Sequence, residues 1–314
     1  MQPPIPDTPR LSALLAAAAR HDPDGPAVIA PDATVPRAAL AGAVLPEEGP
    51  GLAPVDGGTA GERLATALAA MAAGRIAVMA PLPRLPDAGL AARAAQGGLA
   101  LPLAGRVALW QAEGAVRSGA ALAVRLGLTP ADRVSAPLDP AAPAFWIAAL
   151  AALAAGAPLS LIPEDPQATV AILPAAPPPS RGVLRALVWP GAAEEVRALR
   201  ARLRGVAVLN ALPVPGTLGA IVTSDPRDPA RTVPRTRGRP LPGAEAMVVD
   251  PATGKDLALY EKGEVWLRGA GVMAGFLDRA GGAGPRLEPD GFLRTGLIGH
   301  LDSEGRIVPW QVAG

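Results

Sequence analysis

The chain contains no cysteine, which excludes disulfides, thiolate nucleophiles and thiolate metal sites together. Histidine is nearly as scarce: His21 and His300 are the two, too few for an all-imidazole metal centre, and no metal is expected. Lysine occurs at Lys255 and Lys262 alone, so nearly all of the 29 basic residues are arginine. Aromatic residues make up 3% of the chain. Trp110, Trp146, Trp189, Trp266 and Trp310 are scattered along it, a pattern of core packing rather than of a base-stacking platform. An excess of charge is missing too: 29 basic and 28 acidic residues leave a net +1, too weak a field to suggest a nucleic-acid partner or an anionic bilayer. The opening "MQPPIPDTPR" lacks the basic segment and apolar run of a secretory signal, which makes a cytoplasmic location the expectation.

What is present is an ordinary globular balance, 314 residues at 50% hydrophobic and 18% charged. The stretch from Pro140 to Pro163 carries no charge before Glu164 and is long enough to mimic a membrane span. Gly156 and Pro158 break it, so it reads as a buried alanine-rich helix ending near Ala155 and a short strand, with no membrane span. Other segments repeat that unit. Asp7 or Thr8 with Pro9 starts a helix whose Leu11, Leu14, Leu15 and Ala18 share one face, running to about Arg20. "PAVIA" then reads as a strand, Glu62 to Ala73 as a helix stopped by Gly74, and "RIAVMA" as the next strand. "GAVRSGAALAVRLGLTPADRV" supplies another helix and a Thr-Pro turn.

This alternation predicts an α/β fold of layered parallel sheets with flanking helices over residues 1–236. The proline-rich "ILPAAPPPSRG" is a connection. From Gly238 onward helical patterns stop, and "EAMVVDPATGKDLALYEKGEVWLRG" reads as strand, turn, strand. Residues 237–314 are therefore expected to form a small, barrel-like β-rich subdomain. "GTLGA" (216–220) and "PATGKD" lack the lysine or the spacing of a phosphate loop and are read as turns. His300 with Asp302 and Glu304 fits either a general base with an orienting carboxylate or a polar surface turn, and the turn is preferred. His21 follows the first helix, where a cation complements the helix end. Glu264 and Arg268 are read as structural.

Five stretches, from "LATALAAMAAGRIAVMAPLPRLP" through "GRPLPGAEAMVVD" to "DGFLRTGLIGHLDSEGRI", together resemble the adenylate-forming superfamily of acyl-CoA synthetases, luciferases and peptide-synthetase adenylation domains. "GRPLPGAEAMVVDPATGKDLALYEKGEVWLRGAGVMAGFLDR" is similar to the family's Gly-Arg-Pro-x-Pro-Gly entry, hairpin and Gly-Glu-x-x-x-Arg-Gly strand. "DGFLRTGLIGHLDSEGRI" resembles the family block that ends Thr-Gly-Asp-x-(Gly/Ala) and Asp-x-x-Gly. "LATALAAMAAGRIAVMAPLPRLP", "LGLTPADRVSAPL" and "AALAALAAGAPLSL" are similar to its earlier helices and strands, so the likeness covers nearly the whole chain.

The resemblance also marks departures. Leu297 stands where the family keeps the aspartate that holds both ribose hydroxyls of ATP, next to Thr295. The window matching the phosphate loop, Gln96 to Val107, keeps Gly97, Gly98, Pro102 and Gly105 but has no Ser, Thr or Lys. The adenine and magnesium block should fall at Leu209 to Gly216, which holds no Tyr, Thr or Glu. Both lysines lie in the hairpin, and the chain stops at "GRIVPWQVAG", about where the family's hinge to its small carboxyl-terminal domain begins. The resemblance thus implies no catalytic residue, no cofactor, and only vestigial nucleotide positions at Gly97, Gly98, Gly105, Thr295 and Leu297. The reading that follows is a degenerate homologue kept as a binding or scaffolding subunit, compatible with an apolar acyl or aryl acid in the family's acid cleft. The alternative is an ATP-dependent acyl-activating ligase completed by a separate small domain. A protein partner is expected on the β-rich face, around Leu297 and Trp310, with Ile298, Ile307, Val308 and Val312 nearby. The competing reading folds Trp310 back into the chain's own core.

Overall fold

The computed structural model describes residues 10–43, 51–79, 97–173, 176, 182–277 and 284–310. The expected start of the first helix at Asp7 or Thr8, Gln96, most of the proline-rich connection and Val312 lie outside these residues. Strands β1 (Pro26–Ile29) and β2 (Thr34–Pro36) form the edge of a seven-stranded sheet. A second sheet holds β3 (Leu52–Pro54), β4 (Ile76–Val78), β5 (Gly98–Leu103) and β6 (Arg106–Gln111). The first sheet is completed by β7 (Val134–Ser135), β8 (Leu159–Ser160), β9 (Val170–Ile172), β10 (Ala186–Trp189) and β11 (Ala207–Asn210), in the order β11-β10-β9-β7-β8-β1-β2. From β11 to β1 every pairing in it is parallel. All four residues of β10 are buried, the pattern of a strand covered on both faces.

Helix α1 (Leu11–His21) buries Leu11 and Leu15, and the short α2 (Arg37–Gly42) packs beside it. Helix α3 (Ala60–Ala72) starts two residues before the expected Glu62. The cause is a capping box: Glu62 N–H donates to Thr59 Oγ1 at 3.2 Å while Thr59 N–H donates to Glu62 Oε2 at 2.7 Å. Helices α4 (Ala112–Leu126) and α5 (Pro143–Ala155) pack together, and Gly119 is what lets them. A Cβ there would lie 2.4 Å from Leu150 Cβ. In α5 every residue from Phe145 to Ala152 is buried, which accounts for its uncharged sequence. It ends at Gly156 in the left-handed region, as the sequence predicts, and no helix among the described residues is long and apolar enough to cross a membrane. Helix α6 (Ala193–Arg202) links β10 to β11.

After α6 the described residues contain no α-helix, only a 3-10 turn at Val233–Arg235. Strands β12 (Val222–Thr223) and β13 (Arg239–Pro240) pair antiparallel. Strands β14 (Ala244–Val249) and β15 (Gly263–Gly269) form the expected hairpin. Strand β16 (Gly275–Phe276) instead crosses back to extend the second sheet beside β6. Strands β17 (Arg286–Leu287), β18 (Leu293–Leu301) and β19 (Ile307–Pro309) complete an antiparallel sheet with β14 and β15. The α/β layers and the carboxyl-terminal β-rich unit are both present, and one buried cluster spans them from Leu11 to Ile307.

Candidate functional site

The window from Gly97 to Val107 is not an open loop. In the β5–β6 register Leu103 faces Arg106, so Ala104 and Gly105 are the whole connection, with φ of 52° and 73°. Two consecutive left-handed residues make the tight hairpin turn that a two-residue connection requires. Gly97, at φ 94°, is fixed by packing: a Cβ would lie 2.4 Å from the carbonyl of Met71. Gly98 opens β5, paired between Ile76 and Gln111. Leu99, Ala100 and Leu101 are fully buried. A segment that looks loop-like by its glycines is a buried hairpin, because its alternating Leu and Val residues have a sheet to fill.

The second window, Leu209 to Gly216, leaves the carboxyl end of β11. Leu212 N–H donates to the Val222 carbonyl at 3.0 Å, Val214 is buried, and Pro213 and Pro215 are exposed. Gly216 sits against β18, where a Cβ would meet Leu293 Cδ1 at 3.0 Å. The nearest hydroxyl, on Thr217, donates to the Val214 carbonyl at 2.8 Å.

The third position lies in a bulge. Glu264 faces Ile298 and Trp266 faces Arg294, so Thr295, Gly296 and Leu297 together oppose the single residue Val265. Thr295 Oγ1 donates to the Val265 carbonyl at 2.6 Å and accepts the Leu297 N–H at 3.0 Å. Gly296 takes φ 70°. Glu264, buried on β15, accepts from Arg294 Nη2 at 2.8 Å and from the Gly296 N–H at 3.0 Å. Burial alone would raise the Glu264 pKa, but the Arg294 guanidinium and the Gly296 N–H outweigh it and hold the carboxyl below its ordinary value. The Thr295–Gly296 bulge is thus held from both sides, by the Val265 carbonyl and by the Glu264 carboxylate. At its tip Leu297 is half-buried against the main core and offers no acceptor.

The other sequence candidates fall apart or stay at the surface. Asp302 accepts from Arg306 Nη1 at 3.1 Å and from the Glu304 and Arg306 N–H groups, while His300 lies against the Tyr260 ring, centroids 5.9 Å apart. His300 thus lies on β18 opposite Val308, while Asp302 caps the turn that follows. Among the described residues no His, Asp and Glu cluster could hold a metal. Trp310 is 51% exposed with Lys262 Nζ over its ring at 4.1 Å, and Leu259 and Tyr260 are exposed as well. Trp310 therefore does not fold into the core, whereas Trp110 and Trp146 do.

Sequence reasoning missed two features. Asp228 is buried between Arg239 and Arg306, accepting from both, and ties β13 to the β18–β19 turn. The alternating Asp and Arg residues of "DPRDPARTVPRTRGRP" were the available signal. The other is an open groove of about 690 Å³ between the start of α4 and residues 269–274, walled by Gly114, Gly243, Gly269 and Gly271.

Parallel α/β layers are followed by an antiparallel sheet in which the Gly-Glu-x-x-x-Arg-Gly strand β15 faces the Thr-Gly bulge of β18, the large-domain architecture of adenylate-forming proteins. Comparison agrees. Residues 178–277 match the family described as AMP-binding enzyme. The "4-coumarate--CoA ligase-like 4" of Oryza sativa subsp. japonica is 40% identical over 70 residues, 22% of this chain and 13% of that protein. The "4-coumarate--CoA ligase 1" of Glycine max is 32% identical over 81 residues, 26% and 28% of the two chains. These matches span less than a third of either curated relative. Among solved structures, a long-chain-fatty-acid-CoA ligase (FadD1) from Archaeoglobus fulgidus superposes with a TM-score of 0.72 at 14% identity, covering 99% of this chain and 86% of that one. ATP-bound MatB from Rhodopseudomonas palustris gives 0.72 at 19% identity, covering 95% and 78%. Residues 178–277 thus carry an AMP-binding-enzyme segment, and the chain as a whole shares the fold of these acyl-CoA ligase structures.

Proposed function

We propose that this chain is a catalytically degenerate adenylate-forming homologue that serves as a binding or scaffolding subunit. The observation that carries the reading is the two-residue connection Ala104–Gly105. A hairpin that tight presents neither hydroxyls nor a lysine, where phosphate recognition needs several convergent N–H groups and a cation. Leu297 and the proline-rich window at 209–216 support it, since each lacks a group that a nucleotide would bond. Loss of a charged acceptor of two hydrogen bonds costs on the order of 3 kcal/mol, about a hundredfold in affinity.

In this reading the chain works in the cytoplasm, residues 1–236 form the α/β region, and residues 237–314 present the partner face. Leu259, Tyr260 and Trp310 are the exposed apolar anchors of that face. The family's acid cleft is retained for an apolar carboxylic acid, for which few polar groups are needed. The test is pyrophosphate exchange by the pure chain with a panel of carboxylic acids. Background exchange is expected. Robust exchange with any acid, alone or after adding a separate small domain, would replace this reading with that of an acyl-activating ligase.

A further inference from the structure

Trp189 and Asn210 are the last residues of β10 and β11 and stand opposite one another in the parallel register. Beyond Trp189 the chain passes through Pro190 and Gly191 into α6, whose N-cap Ala192 offers no side-chain hydrogen bond. The carboxyl ends of two parallel strands and a free helix start thus meet at one junction, the position where α/β sheets place ligands and helices place anions.

Side chains distinguish this junction from a generic one. Arg237 Nη1 donates to the Gly191 carbonyl and, at 3.3 Å, to Asn210 Oδ1. Its Nε is buried without a partner, and it forms no ion pair among the described residues. Burial pushes the Arg237 pKa down, as an uncompensated guanidinium requires. Trp189 is 8% exposed and its Nε1 is also buried without a partner. That Nε1 lies 2.8 Å from where a Cβ on Gly191 would be, so the indole N–H edge faces the turn. Ser224, fully buried, donates its N–H to the Asn210 carbonyl at 2.8 Å and leaves its hydroxyl unpartnered.

We propose that this junction binds a small monovalent oxyanion, the carboxylate or singly charged phosphate group of a small molecule, with Arg237 as its counter-charge and the Trp189 indole as a donor. A neutral ligand would satisfy the indole but leave the guanidinium uncompensated; an oxyanion answers both. Glu195, in the first turn of α6, limits the charge. Its Oε2 comes within 2.9 Å of the same Cβ position on Gly191 and disfavours a dianion. Asn210 belongs to the 209–216 window, so the inference rests on the reading that this window takes no nucleotide and gives it a small anion instead.

The test is a titration of the intact chain with acetate and, separately, with inorganic phosphate, at constant ionic strength with chloride as control. The readout is the indole ¹H–¹⁵N resonance of Trp189, assigned with Trp189→Phe. One anion should shift it saturably at millimolar concentration, at least tenfold more weakly in Arg237→Gln and severalfold more tightly in Glu195→Gln. Saturation by acetate alone assigns a carboxylate, and by phosphate alone a phosphate. Absence of saturation with both, or an Arg237→Gln titration that matches the parent, overturns the site. Should Arg237→Gln fail to fold, an unchanged affinity in Glu195→Gln overturns it equally.

Discussion

Leu103 faces Arg106 across the β5–β6 hairpin, and the two residues between them leave no chain to wrap a phosphate. Mg-ATP should therefore raise the melting midpoint no more than an equal concentration of inorganic triphosphate does. A ligand at 100 times its dissociation constant stabilises by ~2.7 kcal/mol, several degrees in a chain of this size. A larger shift with Mg-ATP in differential scanning fluorimetry would show that other groups have replaced the missing ones.

Glu264 links the bulge to β15, and its titration gives that link a pH signature. Its pKa is depressed in the folded chain, so its contribution is fully present above the unfolded value of ~4.3 and is lost as pH falls through the folded value. Glu264→Gln should cost about 2 kcal/mol at pH 7, a figure reduced because Arg294 is 30% exposed. It should also flatten the acid limb of stability measured by urea denaturation below pH 5. An acid limb identical to the parent's would remove Glu264 from the account.

Asp228 receives Arg239 and Arg306 from two different segments, with 2% of its side chain exposed. Asp228→Asn keeps the shape and removes the charge, leaving two cations facing each other. We expect a loss of about 3 kcal/mol. A double-mutant cycle with Arg306→Gln should give a coupling above about 0.5 kcal/mol. Strict additivity would mean that the two side chains act independently.

How much of this was legible in the sequence depended on how local each signal was. Helix α5 and its stop at Gly156 were readable because an apolar run and a left-handed glycine are both written within a few residues. The start of α3 was also written locally, in Thr59 and Glu62, and was read two residues late. The Gln96–Val107 window was harder: its glycines suggest a loop, but whether Leu99 and Leu101 fill a sheet depends on β4 and β6 arriving beside them. The return of β16 to β6 is a contact across more than 160 residues and leaves no periodic trace. Leu297 was legible as a departure from a family pattern, yet its bulge and its Glu264 support were not. Arg237 was invisible, since only the fold shows a guanidinium half-buried with no ion pair among the described residues.

Two glycines separate packing from backbone strain. Gly119→Ala puts a Cβ 2.4 Å from Leu150 Cβ at the α4–α5 contact, and overpacking of that kind should cost roughly 1–3 kcal/mol. Gly105→Ala meets open space but keeps φ at 73°, a left-handed strain of about 1 kcal/mol. Urea midpoints should rank the parent above Gly105→Ala and Gly105→Ala above Gly119→Ala. Equal midpoints for the two variants would show that the helix pair relaxes freely around a methyl group.

The partner face turns on the difference between Leu297 and Trp310. Leu297 is half-buried at the bulge, and Trp310 is 51% exposed under Lys262. The Trp310 ring lies under the Lys262 ammonium and its backbone N–H donates to the Ile298 carbonyl at 2.8 Å, so the residue is already positioned and little side-chain entropy is lost when a partner covers it. Trp310→Ala should therefore leave the melting midpoint within about 1 °C, because surface substitutions change stability little. It should also weaken any co-purifying complex at least tenfold, the direction expected for an aromatic anchor. Leu297→Asp should behave differently, lowering stability by about 1 kcal/mol in the isolated chain because a carboxylate replaces an apolar contact with the core. A chain that light scattering and cell extracts show to be monomeric and alone, with Trp310→Ala changing neither solubility nor association, would leave the face without the role proposed for it.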